Sequence, residues 1–127
     1  MAKIVFCEDE ERIRKLIRAM LESAPYEIYM AADGIEGLEL IERERPDLIF
    51  IDISMPGYDG IQLADIVKSR PHLAAIPLIF LSAFAQQAEK EEGHRHGAIE
   101  YLTKPFSVTD LLTKIEQYLP SQAQQAT

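Results

Sequence analysis

The sequence predicts an α/β domain in which a doubly wound, five-stranded parallel sheet is covered by helices on both faces. Three observations carry this. Five short runs rich in aliphatic and aromatic residues recur along the 127 residues. The first, third and fourth runs are almost continuously apolar rather than alternating, as strands buried on both faces must be. The segments between them place apolar residues at helical spacing, and strand–helix alternation implies parallel strands joined by right-handed crossovers.

The first strand is expected at Ile4–Cys7. The helix after it sets Ile13, Leu16, Ile17, Met20 and Leu21 on one stripe, with Arg12, Arg14, Lys15, Arg18 and Glu22 opposite. It ends before Pro25, because the residue preceding a proline is disfavoured in the helical region. The second strand is Tyr26–Ala31. A second helix runs from about Ile35 to Arg43, with Ile35, Leu38 and Ile41 inward and Pro46 beyond its end. The third strand is Leu48–Ile51. The helix that follows uses Leu63, Ile66 and Val67 and stops before Pro71. Asp59-Gly60 alone would suggest a hairpin, but the periodicity after it is helical, so Asp59 is read as an N-cap. The fourth strand is Ile76–Leu81 and the fifth is Ala98–Leu102. Between them, Gln86–His96 has few apolar anchors and contains Gly93, which costs about 1 kcal/mol relative to Ala. A marginally packed, mobile helix is expected there. The last helix uses Val108, Leu111, Leu112, Ile115 and Leu119, with Ser107 as N-cap and Pro120 as stop. One domain over residues 1–120 is expected. Ser121–Thr127 is polar and reads as a flexible tail or the start of a linker.

Composition narrows the function. Asp and Glu number 21 against 13 Lys and Arg, a net charge of −8. That balance argues against direct nucleic-acid binding, which needs a basic face. The single cysteine, Cys7, cannot form an internal disulfide and reads as a packing residue. The start lacks a signal-peptide pattern, and the most apolar window, Ala74–Phe84, is broken by Pro77 and Ser82. A cytoplasmic protein with no membrane partner is expected.

Sites in such sheets form at the carboxyl ends of the strands. Glu8-Asp9-Glu10-Glu11 follows the first predicted strand, Asp52 the third, Ser82 the fourth and Lys104-Pro105 the fifth. A phosphate-bearing dinucleotide is excluded after the first strand, where four acids stand and glycine is absent. Glu8, Asp9 and Asp52 converging would repel one another unless a cation neutralised them. An all-oxygen set with room for water favours Mg²⁺. Taken singly, each residue has an ordinary reading. Acids complement a helix dipole, a lone Asp caps a turn, Ser82 closes a loop and Lys104 is solvated. Their common placement at strand ends is what carries weight. His94 and His96 resemble a metal pair but have no third ligand near them in sequence, and read as a solvated helix end.

These residues resemble the receiver domain of two-component response regulators over about residues 2–120. The resemblance rests on Glu8-Asp9, on Asp52 with Met55-Pro56-Gly57 and Asp59-Gly60, on Leu81-Ser82-Ala83, and on Tyr101-Leu102-Thr103-Lys104-Pro105-Phe106. It implies a flavodoxin-like (βα)5 fold with strand order 2-1-3-4-5. It implies that Asp52 accepts a phosphoryl group from a histidine kinase or phosphotransfer protein. Asp9, Asp52 and the Ser54 carbonyl would ligate Mg²⁺, with Glu8 acting largely through water. Lys104 and Ser82 would contact phosphoryl oxygens, and Tyr101 would be the aromatic that turns inward when Ser82 moves. The surface of the fourth helix, fifth strand and fifth helix would address a downstream protein, a fused output domain or a second copy in a homodimer. Ser54 and Phe84 stand at the positions that tune phosphoryl lifetime, with Phe84 shielding the acyl phosphate. Glu8 for the commoner Asp, and Ser82 for Thr, keep the chemistry.

Two other readings stay open at this level. A phosphatase of the haloacid dehalogenase type also uses a strand-end Asp, Mg²⁺ and Lys, but it needs a second acid where this chain has Ser54. A phosphorylation-independent binding module could use the same fold, although such modules usually lose an acid, the acceptor or the Lys, and all are present here.

Overall fold

A computed structural model describes residues 1–82 and 100–119. Its elements in chain order are β1 (Ala2–Cys7), α1 (Glu11–Met20), β2 (Tyr26–Ala31), α2 (Gly34–Glu44), β3 (Leu48–Asp52), α3 (Gly60–Ser69), β4 (Leu78–Ser82), β5 (Glu100–Thr103) and α4 (Val108–Tyr118). The last of these is the fifth helix expected from the sequence. The helix expected at 86–96, together with Phe84, His94, His96 and the polar tail, lies outside the described residues.

The five strands form one parallel sheet in the order β2-β1-β3-β4-β5, as expected. Period-two alternation sends successive side chains of each buried strand to opposite faces. Ile4, Phe6, Leu48, Phe50, Ile79 and Leu81 therefore pack with Ile17 and Leu21 of the α1 region and with Leu111 and Ile115 of α4. Val5, Cys7, Ile49, Ile51, Leu78 and Phe80 pack with Leu40 and Ile41 of α2 and with Leu63 and Val67 of α3. This is why those runs read as uninterrupted apolar sequence: both faces are covered. Phe6 and Phe50 stack across β1 and β3, with ring centroids 4.7 Å apart and planes within 8°.

The caps follow the sequence reading. Asp59 accepts from the Gln62 amide at 2.9 Å while Gln62 Oε1 accepts from the Asp59 amide at 3.0 Å. Ser107 and Asp110 make the same reciprocal pair at the start of α4. Each satisfies two helix-end donors that have no partner inside the helix.

Three details differ from expectation. Leu16 and Ile35, assigned to inward stripes, are 49% and 53% exposed. The inward line of α1 is narrower than its apolar stripe, with Ile17 and Leu21 at its centre. Ile35 lies to one side of the inward line of α2, which runs through Gly34, Gly37 and Ile41. β4 begins at Leu78 instead of Ile76: the Ile76 amide closes a turn onto the Leu73 carbonyl, and Pro77 has no N–H to give to the ladder.

Candidate functional site

After β1 the chain crosses to one side to make β2, and after β2 it crosses β1 to make β3 on the other side. The crevice at that reversal opens at the carboxyl ends of β1 and β3. Glu8 and Asp9 follow β1, Asp52 ends β3, Ser82 ends β4 and Lys104 follows β5. Register holds them level, with Asp52 opposite Leu81 and Ser82 opposite Thr103.

A carboxylate oxygen from each of Glu8, Asp9 and Asp52 lies within 4.8 Å of the other two. Glu8 and Asp52 are buried, and Asp9 is exposed at the rim. Lys104 Nζ lies 3.0 Å from Asp52 Oδ2 and 2.5 Å from Glu8 Oε1. The structure thus joins the residues read as a carboxylate trio to the lysine read as its counter-charge, from positions 8 to 104 of the chain.

Burial governs the electrostatics. Desolvation, helped by the neighbouring Asp52 charge, outweighs the pull of Lys104 and raises the Glu8 carboxyl to about 7. Burial also opposes the Lys104 charge, but the Glu8 and Asp52 carboxylates outweigh it and hold the ammonium pKa above its ordinary value. Glu8 Oε1 is fully buried and rests against the Lys104 ammonium as an ion pair. One ammonium beside three carboxylates leaves negative charge uncompensated, and oxygen donors at this spacing suit a hard divalent cation. The residues fit Mg²⁺ on that ground.

The loop from β3 to α3 walls the other side. Asp9, Ile53, Ser54, Met55, Pro56, Asp59 and Ile61 line a cleft of about 520 Å³. Gly57 takes φ +78°, a left-handed conformation that side chains with a Cβ rarely adopt, so the predicted Pro56–Gly57 turn is formed. The Ser54 amide lies 3.3 Å from Asp52 Oδ1, and the Gly60 amide closes the loop on the Ile53 carbonyl at 2.8 Å. Ser82 is buried at the end of β4, and its carbonyl accepts from the Lys104 amide at 2.7 Å. Tyr101 is buried in β5 with its ring 5.7 Å from that of Phe80.

Two contributors escaped the sequence reading. Arg14 reaches back from α1 to donate from Nη1 to the Glu8 carbonyl at 2.8 Å, holding the acidic turn. Its spacing from Glu8 was visible, but a basic residue on a solvated helix face gives no signal of a backbone target. Gly34 donates its amide to the Pro56 carbonyl at 3.2 Å.

The sequence pattern of the response regulator receiver domain family matches residues 4–116. The chain is 35% identical over 119 residues to the DNA-binding dual master transcriptional regulator RpaA of Synechocystis, covering 94% of this chain and 49% of that protein. It therefore spans about half the length of that curated relative. The chemotaxis protein CheY4 of Vibrio cholerae superposes with a TM-score of 0.89 at 32% identity, over 94% of this chain and 99% of that one. The receiver domain of the sensor histidine kinase PA1611 of Pseudomonas aeruginosa superposes with a TM-score of 0.86 at 31% identity, over 94% and 98% of the two chains. That structure holds a magnesium ion in its active site cleft.

Proposed function

The chain belongs to the response regulator receiver domain family of two-component signalling, and from that membership we propose that it is switched by Mg²⁺-dependent transfer of a phosphoryl group to Asp52. The observation that carries this is the meeting of Glu8, Asp9, Asp52 and the Lys104 ammonium at one edge of the sheet.

Asp52 Oδ1 or Oδ2 attacks phosphorus in line, the bond from phosphorus to the donor nitrogen of a phosphohistidine breaks, and an acyl phosphate forms. Little covalent help is needed in such a transfer; positioning and charge neutralisation dominate. Glu8, Asp9, Asp52 and the Ser54 carbonyl would hold Mg²⁺, with Glu8 expected to act largely through water. The ion, when bound, supplies positive charge to the transferring oxygens. Lys104 stands against Asp52 and passes from the carboxylate to a phosphoryl oxygen as the new charge arrives. Ser82 donates its hydroxyl to another phosphoryl oxygen, a charge-assisted bond stronger than a neutral one. Tyr101, beside Phe80, follows Ser82 and carries the change to the face that includes β5 and α4. Ser54 and Phe84 stand at the two sequence positions that set how long the phosphoryl group survives. Ser54 also stands where a phosphatase of related chemistry would need an acid, which favours a retained phosphoryl group over turnover of small esters.

The donor is a histidine kinase or phosphotransfer protein, and the recipient of the signal is a downstream protein, an attached output domain or a second copy. Incubation with Mg²⁺ and acetyl phosphate should add one base-labile phosphoryl group by intact-mass spectrometry, and Asp52→Asn should abolish it. A wild-type protein that takes up no phosphoryl group would return the chain to the phosphorylation-independent reading.

A further inference from the structure

Resting on the divalent-cation site just proposed, we infer that Gly34, the first residue of α2, is a positioning residue for it. The residue touches neither the carboxylates nor the cation. It acts on the β3–α3 loop, which carries Ser54.

Gly34 and that loop are in backbone-to-backbone contact. The Gly34 amide donates to the Pro56 carbonyl at 3.2 Å. A Cβ at Gly34 would lie 2.1 Å from the Tyr58 carbonyl oxygen, 2.6 Å from Tyr58 Cβ and 2.8 Å from the Tyr58 carbonyl carbon. Two of these atoms are main chain, so no rotamer change can clear them. Either α2 or the loop must move.

The loop has little freedom to move without disturbing the site. At its far end the Gly60 amide bonds to the Ile53 carbonyl at 2.8 Å, and a Cβ at Gly60 would fall 2.4 Å from the Asp52 carbonyl oxygen. Gly57, at the turn, lies against Ile35, so a Cβ there would be 3.3 Å from Ile35 Cγ1. The loop is thus held between β3 and the start of α2, with Pro56 and Tyr58 the two points at which Gly34 sets its distance. The helix is itself anchored. Asp33 caps it by accepting from the Glu36 amide at 2.8 Å, and Leu40 and Ile41 bury its far half. A side chain at position 34 therefore displaces the loop, and with it the Ser54 backbone beside Asp52 Oδ1.

Gly34→Ala should weaken Mg²⁺ binding about tenfold or more, the scale seen when the partners that hold metal ligands are disturbed. Isothermal titration with MgCl2 reads this directly, without phosphorylation. Leu40→Ala is the control: it loosens the same helix from the core and lowers Tm while leaving Mg²⁺ affinity unchanged. Should Gly34→Ala fail to fold, the wild-type protein decides: on titration with Mg²⁺ the Gly34 amide resonance must shift, since its acceptor is on the loop. Affinity equal to wild type in folded Gly34→Ala, an equal loss in Leu40→Ala, or a stationary Gly34 amide would each overturn the inference. Failure of the wild-type protein to bind Mg²⁺ at all would instead remove the cation site on which it rests.

Discussion

Lys104 Nζ lies 3.0 Å from Asp52 Oδ2, bridging the ends of β5 and β3 across the intervening β4. Hydrogen bonds to charged groups contribute about 1.5–3 kcal/mol. If Lys104 transfers that contact to the incoming phosphoryl group, its loss should raise the barrier by a similar amount. Lys104→Met is therefore expected to slow phosphoryl uptake from acetyl phosphate about 10- to 100-fold, at about 1.4 kcal/mol per tenfold. Initial rates by intact-mass spectrometry check this, and an unchanged rate would exclude Lys104 from the transfer.

The three carboxylates make a second expectation measurable without any phosphodonor. A ligand that binds only the folded state stabilises it by RT ln(1 + [L]/Kd), about 1.4 kcal/mol at ten times Kd. Tm should rise with Mg²⁺ concentration, fall back on adding EDTA and become insensitive to Mg²⁺ in Asp9→Asn. Asp9 is the informative position because it is the exposed member of the trio, so its substitution leaves the buried Glu8–Lys104–Asp52 contacts in place. Persistence of the Mg²⁺ response in Asp9→Asn would remove that residue from the ligand set.

What the sequence made legible is the strand-end geography. β1, β3 and β4 announce themselves because both faces are apolar, and residues just past their ends are then assigned to one edge. The site residues Asp9, Asp52, Ser82 and Lys104 all lie there, in strand-end positions that period and length define. The burial of Glu8 was not legible. Its carboxylate is fully buried against Lys104, and nothing in the local sequence says that a lysine following the edge strand β5 meets a residue following β1. Gly34 was equally opaque, because a glycine after an N-cap Asp looks like an ordinary helix start until the Tyr58 carbonyl is seen 2.1 Å from its missing Cβ. The exposure of Ile35 has a related origin: the inward line of α2 runs through Gly34 and Gly37, which have no apolar side chain for a periodicity to register.

Cys7 offers a probe of the fold beneath the site. Its side chain is fully buried among Gly37, Leu63 and the α2–α3 core, and burial pushes the thiol up to about 12. Since the thiolate is the reactive form, the native protein should resist iodoacetamide at pH 8 and label promptly only when unfolded in urea or guanidinium. Labelling of the native protein at the rate of a free thiol would show that β1 opens locally.

Glu100 ties β5 to α4 and makes that junction pH-sensitive. Its Oε2 lies 3.1 Å from Lys114 Nζ and accepts from the Tyr118 hydroxyl at 3.3 Å, while Oε1 accepts from the Tyr101 amide at 3.3 Å. Burial alone would raise the Glu100 pKa, but Lys114, the Tyr101 amide and Tyr118 outweigh it and hold the carboxyl below its ordinary value. A depressed folded-state pKa means that the unfolded chain binds the proton more readily. The stabilisation is then complete above the unfolded value of about 4.3 and is lost as pH falls through the lower folded value. Glu100→Gln should therefore lower stability at pH 7 by about 0.5–1 kcal/mol, the range of a partly solvent-screened pair. The two denaturation curves should converge as the medium is acidified below about pH 4. A constant gap between wild type and Glu100→Gln from pH 7 to pH 3 would mean that the contribution comes from packing, and that β5 and α4 are not held together by this charge.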